Sequence, residues 1–118
     1  EMPISGVRLT GIVGSGGAGL MARYTDGLEL HHVQVNAERG PVFAIENASD
    51  LELNGVTARK PVAGSPVLRL THTPGAVLRN SRAFPGTETF LSVAPGELKS
   101  VRLQGNVLDN AKTSTEEH

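Results

Sequence analysis

The chain contains no cysteine, which excludes a disulfide framework and thiolate-based metal sites. Tryptophan is absent too, and one Tyr and three Phe supply all the aromatic surface. The core must therefore be assembled from Val, Leu, Ile and Ala, which favours thin, regular layers over one bulky centre. Neither sign of charge dominates, because eleven Lys and Arg stand against twelve Asp and Glu and the basic residues are dispersed. That rules out the basic stripe a phosphate backbone requires, so nucleic acid is not an expected partner. No apolar run approaches the roughly 18 residues that span a membrane, and no leader peptide is legible. A membrane is accordingly not an expected partner either. Because Glu1 stands where a Met would open a chain, an upstream segment is expected to have been removed.

What the chain has in quantity is turns. Fourteen Gly and seven Pro in 118 residues interrupt every window in which a helical period starts, while the spread of apolar residues is enough to fold a core. At this length residues 1–118 are expected to form a single domain.

The dominant signal is an internal repeat. Leu28-Glu29-Leu30-His31-His32-Val33-Gln34-Val35 recurs as Leu51-Glu52-Leu53-Asn54-Gly55-Val56-Thr57-Ala58, and weaker copies begin at Val7, Ala76 and Val101. The starts are 21, 23, 25 and 25 residues apart. Apolar residues hold the first and third positions and, in most copies, the sixth and eighth, as with Val7, Leu9 and Ile12 or Leu51, Leu53, Val56 and Ala58. This is strand alternation with one phase slip. The slip falls at the fifth position, occupied by Gly11, His32, Gly55, Asn80 and Gly105, and Gly and Asn enter left-handed backbone space at the least cost. A bend there turns the chain while keeping the same face inward.

A second strand precedes each repeat after the first: Leu20-Met21-Ala22, Phe43-Ala44-Ile45, Leu68-Arg69-Leu70 and Leu91-Ser92-Val93, with Pro41 and Pro66 near the start of two of them. Turns are expected at Asn47–Asp50, Thr73–Gly75 and Ala94–Gly96. Strands this short and this regularly spaced leave no room for crossover helices and are best satisfied when each coil bonds to the next. The expected fold is all-β, a right-handed parallel β-helix, or solenoid, of about five short coils. Leu20, Phe43, Leu68 and Leu91 then stack as one core ladder, and Ala22, Ile45, Leu70 and Val93 as another. A sandwich of antiparallel hairpins gives no reason for the bend to recur in phase, and a leucine-rich repeat fits only the segment Leu98–Leu108. The glycine-rich stretch Gly14–Gly19 is expected to be a flexible turn of the first coil. Nothing before Val7 is suited to a capping helix, and Lys112–His118 (residues 112–118) is a polar tail expected to fray.

Laid out as coils, the sequence resembles the family 28 glycoside hydrolases, the polygalacturonase-like group of the pectate-lyase-like β-helix superfamily. The resemblance rests on Gly40–Asn47 followed by Leu51–Val56, on Pro66–Leu70, on Arg82–Leu91 and on Leu103–Leu108, which are similar to the last coils of bacterial members. It implies a polysaccharide-degrading parent enzyme, upstream coils of the same chain as neighbours, and an extracellular or periplasmic location. The group's N-T-D, D-D, G-H-G and R-I-K signatures are absent, Arg59-Lys60 and His31-His32 being the nearest approaches. No catalytic residue is therefore assigned, and no cofactor is expected.

The remaining candidates are polar side chains on the outer face. Thr10, His31, Asn54, Arg79 and Gln104 form one outward column, suited to the hydroxyls of a sugar or, through Arg79, to the carboxylate of a uronate. His31, Asn54, Arg79 and Gln104 are the candidate carbohydrate-binding residues, and polysaccharide is the expected partner. Glu29 and Glu52 share a face on adjacent coils. Two such carboxylates can push a pKa up and supply an acid, although balancing by Arg8 and Arg102 is the plainer expectation. Asp26 and Asp50 are expected to cap backbone groups before a coil start. A metal is not expected, since His31 and His32 point apart and a third donor such as His72 lies on another strand. The alternative to a segment with upstream coils is a stand-alone carbohydrate-binding or self-associating module, and since a bare stack exposes its end coils, association end to end with a second copy is expected in that case.

Overall fold

The structure, a computed structural model, describes residues 4–11 and 13–118. Its first coil contributes β1 (Ile4–Ser5), β2 (Arg8–Thr10) and β3 (Val13–Gly16). The second adds β4 (Leu20–Asp26), β5 (Glu29–His31) and β6 (Gln34–Ala37), and the third β7 (Phe43–Ser49) and β8 (Glu52–Asn54). The fourth carries β9 (Leu68–Thr71) and β10 (Val77–Arg79), and the fifth β11 (Thr89–Val93) and β12 (Arg102–Gln104). A last strand, β13 (Thr113–Glu117), begins a further pass. Ile12, read from the sequence as an inward position, and residues 1–3 lie outside the described residues.

The strands stack into a parallel β-solenoid of about five turns. One sheet runs β1-β4-β7-β9-β11-β13, a second runs β12-β10-β8-β5-β2, and a third holds β3 and β6. Further along, that third face continues as single bridges from Gln34 to Thr57 and from Arg82 to Val107. The pairing of β5 with β8 decides against hairpins: Glu29 faces Glu52, Leu30 faces Leu53 and His31 faces Asn54, all in parallel register. The neighbouring registers, Arg8 with Glu29 and Glu52 with Val77, carry the repeat through the stack as its spacing predicts.

The bend column has the backbone its composition implies. Gly11, His32, Gly55, Asn80 and Gly105 all lie at φ between 52° and 70°. At Gly55 a Cβ would also sit 3.0 Å from the His32 ring, so any larger residue there would have to displace that ring as well. Three further non-glycine positions, Tyr24, Asn47 and His72, are also left-handed, and of these only Asn47 was marked in the sequence as a turn. Asn47 and Asp50 bend the chain singly, with strand continuing between them to Ser49, where a turn over Asn47–Asp50 was expected.

Both predicted ladders form. Phe43 pairs with Leu68 and Leu68 with Leu91, while Ile45 pairs with Leu70 and Leu70 with Val93. These side chains are fully buried, as are Leu30, Leu53 and Leu78 on the second sheet. Each such side chain contributes about 1.5–3 kcal/mol on the usual area scale.

Three local expectations are corrected. Thr113–Glu117 is not frayed: the open edge of β11 offers unpaired backbone groups, and Thr113 N–H donates to Glu88 O at 2.7 Å while His118 N–H donates to Val93 O at 2.8 Å. The glycine-rich segment begins as strand, because β3 pairs with β6 over four residues. Asp26 accepts a hydrogen bond from Ser49 Oγ at 2.9 Å, a side-chain contact between coils in place of a backbone cap.

The two ends of the stack differ in polarity. Val33 and Val56 are followed at the sixth repeat position by Ser81 and Asn106. Ser81 Oγ accepts from Val56 N–H at 3.1 Å and Asn106 Oδ1 accepts from Ser81 N–H at 2.9 Å. Thr115 and Glu117 of β13 close over Leu91 and Val93. At the opposite end Val7, Leu9, Leu20 and Ala22 are only partly buried and border an apolar hollow of about 280 Å³.

Candidate functional site

The second sheet is built from three-residue strands whose middle residue is Leu and whose outer two residues face away from the core. Because alternate residues share a face, the outer positions of β2, β5, β8, β10 and β12 form two columns. One holds Arg8, Glu29, Glu52, Val77 and Arg102, the other Thr10, His31, Asn54, Arg79 and Gln104.

Around β5, β8 and β10 these side chains form one bonded network. Asn80 Nδ2 donates to Asn54 Oδ1 at 3.1 Å, and Asn54 Nδ2 contacts His31 Nδ1 at 3.3 Å. Since an amide NH2 can only donate, His31 Nδ1 accepts, and the ring proton sits on Nε2, which donates to Glu29 Oε1 at 2.8 Å. Glu52 Oε2 lies 3.5 Å from the same nitrogen. Arg8 pairs with Glu29 and Arg79 with Glu52, each at 3.1 Å. The carboxylates and the imidazole are half-buried, whereas Arg8 is largely exposed. Ion pairs this open to solvent add little to stability, so the network orients side chains more than it stabilises the fold.

Of the four candidate sugar-binding residues, His31, Asn54 and Arg79 are brought together in this network. Gln104 shares their column and stays exposed at its end. His32 stands apart at the bend, and His72 pairs with Glu97 at 2.9 Å on a different face. The partner of Glu52 is Arg79 and not Arg102, because Val77 occupies the intervening coil of that column.

The idea of a raised carboxyl pKa does not hold for Glu29. The hydrogen bond from His31 holds its carboxyl below the ordinary value, the Arg8 guanidinium adds to this, and desolvation opposes it. A carboxyl lowered on folding contributes stability that is present above the unfolded-state pKa and is lost as pH falls through the folded one. Glu29→Gln should therefore be less stable than the wild type at neutral pH, and the gap should close as the solution is taken into acid. Denaturant titrations of both proteins across that range check this, and a gap that does not depend on pH would contradict it.

Ligand atoms of Glu29, His31 and Glu52 lie within 4.8 Å of one another, a spacing a metal ion could use. Both carboxylates are already neutralised by guanidiniums and the ring nitrogen between them carries a proton, so the set is balanced without a cation. A cavity on the first sheet, around Arg69 and Ser92, was not foreseen from the sequence. Arg69, Thr89 and Ser92 lie on β9 and β11, but the groups that wall the cavity come from turns and from the last strand, which carry no repeat signal. Comparison with protein-family models, curated proteins and solved structures returns no match for this chain.

Proposed function

We propose that this solenoid is a non-catalytic segment of a polysaccharide-acting protein of the polygalacturonase-like kind, and that the column His31, Asn54, Arg79 and Gln104 is its glycan-contacting strip. The observation that carries the reading is the register. Four side chains with amide, imidazole or guanidinium groups follow one another on successive coils, one per coil, facing outward. Coils about 4.8 Å apart repeat on the scale of a sugar residue in an extended chain. The network that holds His31, Asn54 and Arg79 in place removes part of the ordering cost of binding.

The same geometry argues against inverting hydrolysis at this strip. Inverting glycosidases keep two carboxyl groups about 6.5–9.5 Å apart with a water between them. Here the oxygens of Glu29 and Glu52 come within 4.8 Å, and each carboxylate is occupied by an arginine. The apolar hollow bordered by Val7, Leu9 and Leu20 supports membership in a longer stack, since an added coil would bury it. Head-to-tail association of two copies is less favoured, because it would set Arg102 of one copy beside Arg8 of the next.

Affinity electrophoresis through polygalacturonate gels tests the strip. The wild-type chain should be retarded, and Arg79→Ala should weaken retention by at least about tenfold, as loss of a charged hydrogen-bond donor implies. Equal retention of both proteins, or none, would overturn the assignment.

A further inference from the structure

A cavity of about 320 Å³ opens on the outer face of the first sheet. The outward column there runs Met21, Ala44, Arg69, Ser92 and Glu116, so one long side chain stands between two small ones. The turn at Gly64, Ser65 and Pro66 walls one side and the end of β13 the other.

Most of the lining groups are held in place. Thr89 Oγ1 donates to Glu116, and Glu88 Oε2 accepts from Gly64 N–H at 2.7 Å. His118 bridges Ser92 Oγ at 2.9 Å and Thr71 Oγ1 at 3.2 Å. Partial desolvation lowers the pKa of that imidazole and Arg69 lowers it further, against the opposing charges of Glu97 and Glu116. Arg69 is the exception: among the described residues no carboxylate comes within ion-pair distance of it and no side chain accepts from it. The cavity thus combines one unengaged cationic donor with two pre-oriented anionic acceptors.

We infer that this cavity binds a single neutral sugar residue, with Arg69 donating to its hydroxyls and Glu88 and Glu116 accepting from them. The inference rests on the glycan reading above for its ligand class and on different residues for its site. A hydroxyl both donates and accepts, so a sugar satisfies a guanidinium and carboxylates at once. A uronate would gain from Arg69 but meet Glu88 and Glu116 as like charges. The volume lies at the small end of ligand sites, which suits one residue and not a chain.

The test is a titration of the isotopically labelled full chain with galactose, glucose, mannose and galacturonate, following backbone amide shifts. At least one neutral hexose should move the amides of Arg69, Ser92 and Glu116, and galacturonate should bind there at least about tenfold more weakly. Arg69→Ala should abolish these shifts while leaving the β13 amides at their native positions, and Arg79→Ala should leave the shifts intact. No response to any of the three hexoses, a galacturonate response as strong as theirs, or an unchanged response in Arg69→Ala would overturn the inference. Loss of polygalacturonate retention with hexose shifts intact would overturn the strip alone, and the reverse would overturn this cavity alone.

Discussion

Truncating Phe43 to alanine should cost about 3–5 kcal/mol of stability, the range for a buried aromatic whose cavity cannot collapse. The ring is fully buried and stacks between Leu20 of the coil before and Leu68 of the coil after. In a solenoid each layer touches only its neighbours, so a void at the third of five coils separates the two halves of the stack. Leu103→Ala is the matched comparison. Leu103 belongs to the ladder of the second sheet but lies at its end and is 43 % exposed, so its truncation should cost less than about 1 kcal/mol. Urea unfolding of the two variants distinguishes them. Equal losses would mean that the ladders do not stack as described.

Gly19→Ala should be nearly as damaging, for a steric reason. A Cβ at Gly19 would overlap the carbonyl of Val42 on the next coil, a backbone group that cannot rotate away. The β4–β7 pairing would have to shift, and overpacking of this kind costs about 1–3 kcal/mol, with the upper end expected where backbone must move. Gly14→Ala provides the contrast, since a Cβ there meets nothing within 4 Å. That variant should be neutral or gain about 0.4–1 kcal/mol from a less flexible unfolded chain. Thermal melts of the pair are decisive: similar losses for both would show that the close approach of Gly19 to Val42 is not what the fold depends on.

Much of the architecture was legible because a stacked repeat writes its register into the sequence. The offset from Glu29 to Glu52 is both a sequence period and a hydrogen-bonded pairing, so aligning the copies aligned the strands. The bend was readable at Gly11, Gly55, Asn80 and Gly105, where composition states the backbone requirement. It was not readable at Tyr24 and His72, whose residue types occupy ordinary extended backbone far more often than the left-handed region they adopt here. The polar ending of the chain pointed to fraying because pattern reasoning follows side chains, whereas β13 is held through backbone groups offered by β11.

The candidate strip divides in the same way. That His31, Asn54, Arg79 and Gln104 share a column follows from period and alternation. The choice of Arg79 over Arg102 as partner of Glu52, the proton position on His31 and the lowered pKa of Glu29 depend on side-chain conformations across three coils. The cavity around Arg69 depends on a turn and a final strand outside the repeat.

The amino-acid sequence by itself determined the all-β class, the coil period, the inward ladders and the bend column, because each is local periodicity repeated in phase. Tertiary structure alone decided which end of the stack is polar, which arginine meets which carboxylate and where the surface hollows. Those depend on groups distant in the chain meeting at ångström range, and no period along the chain encodes that.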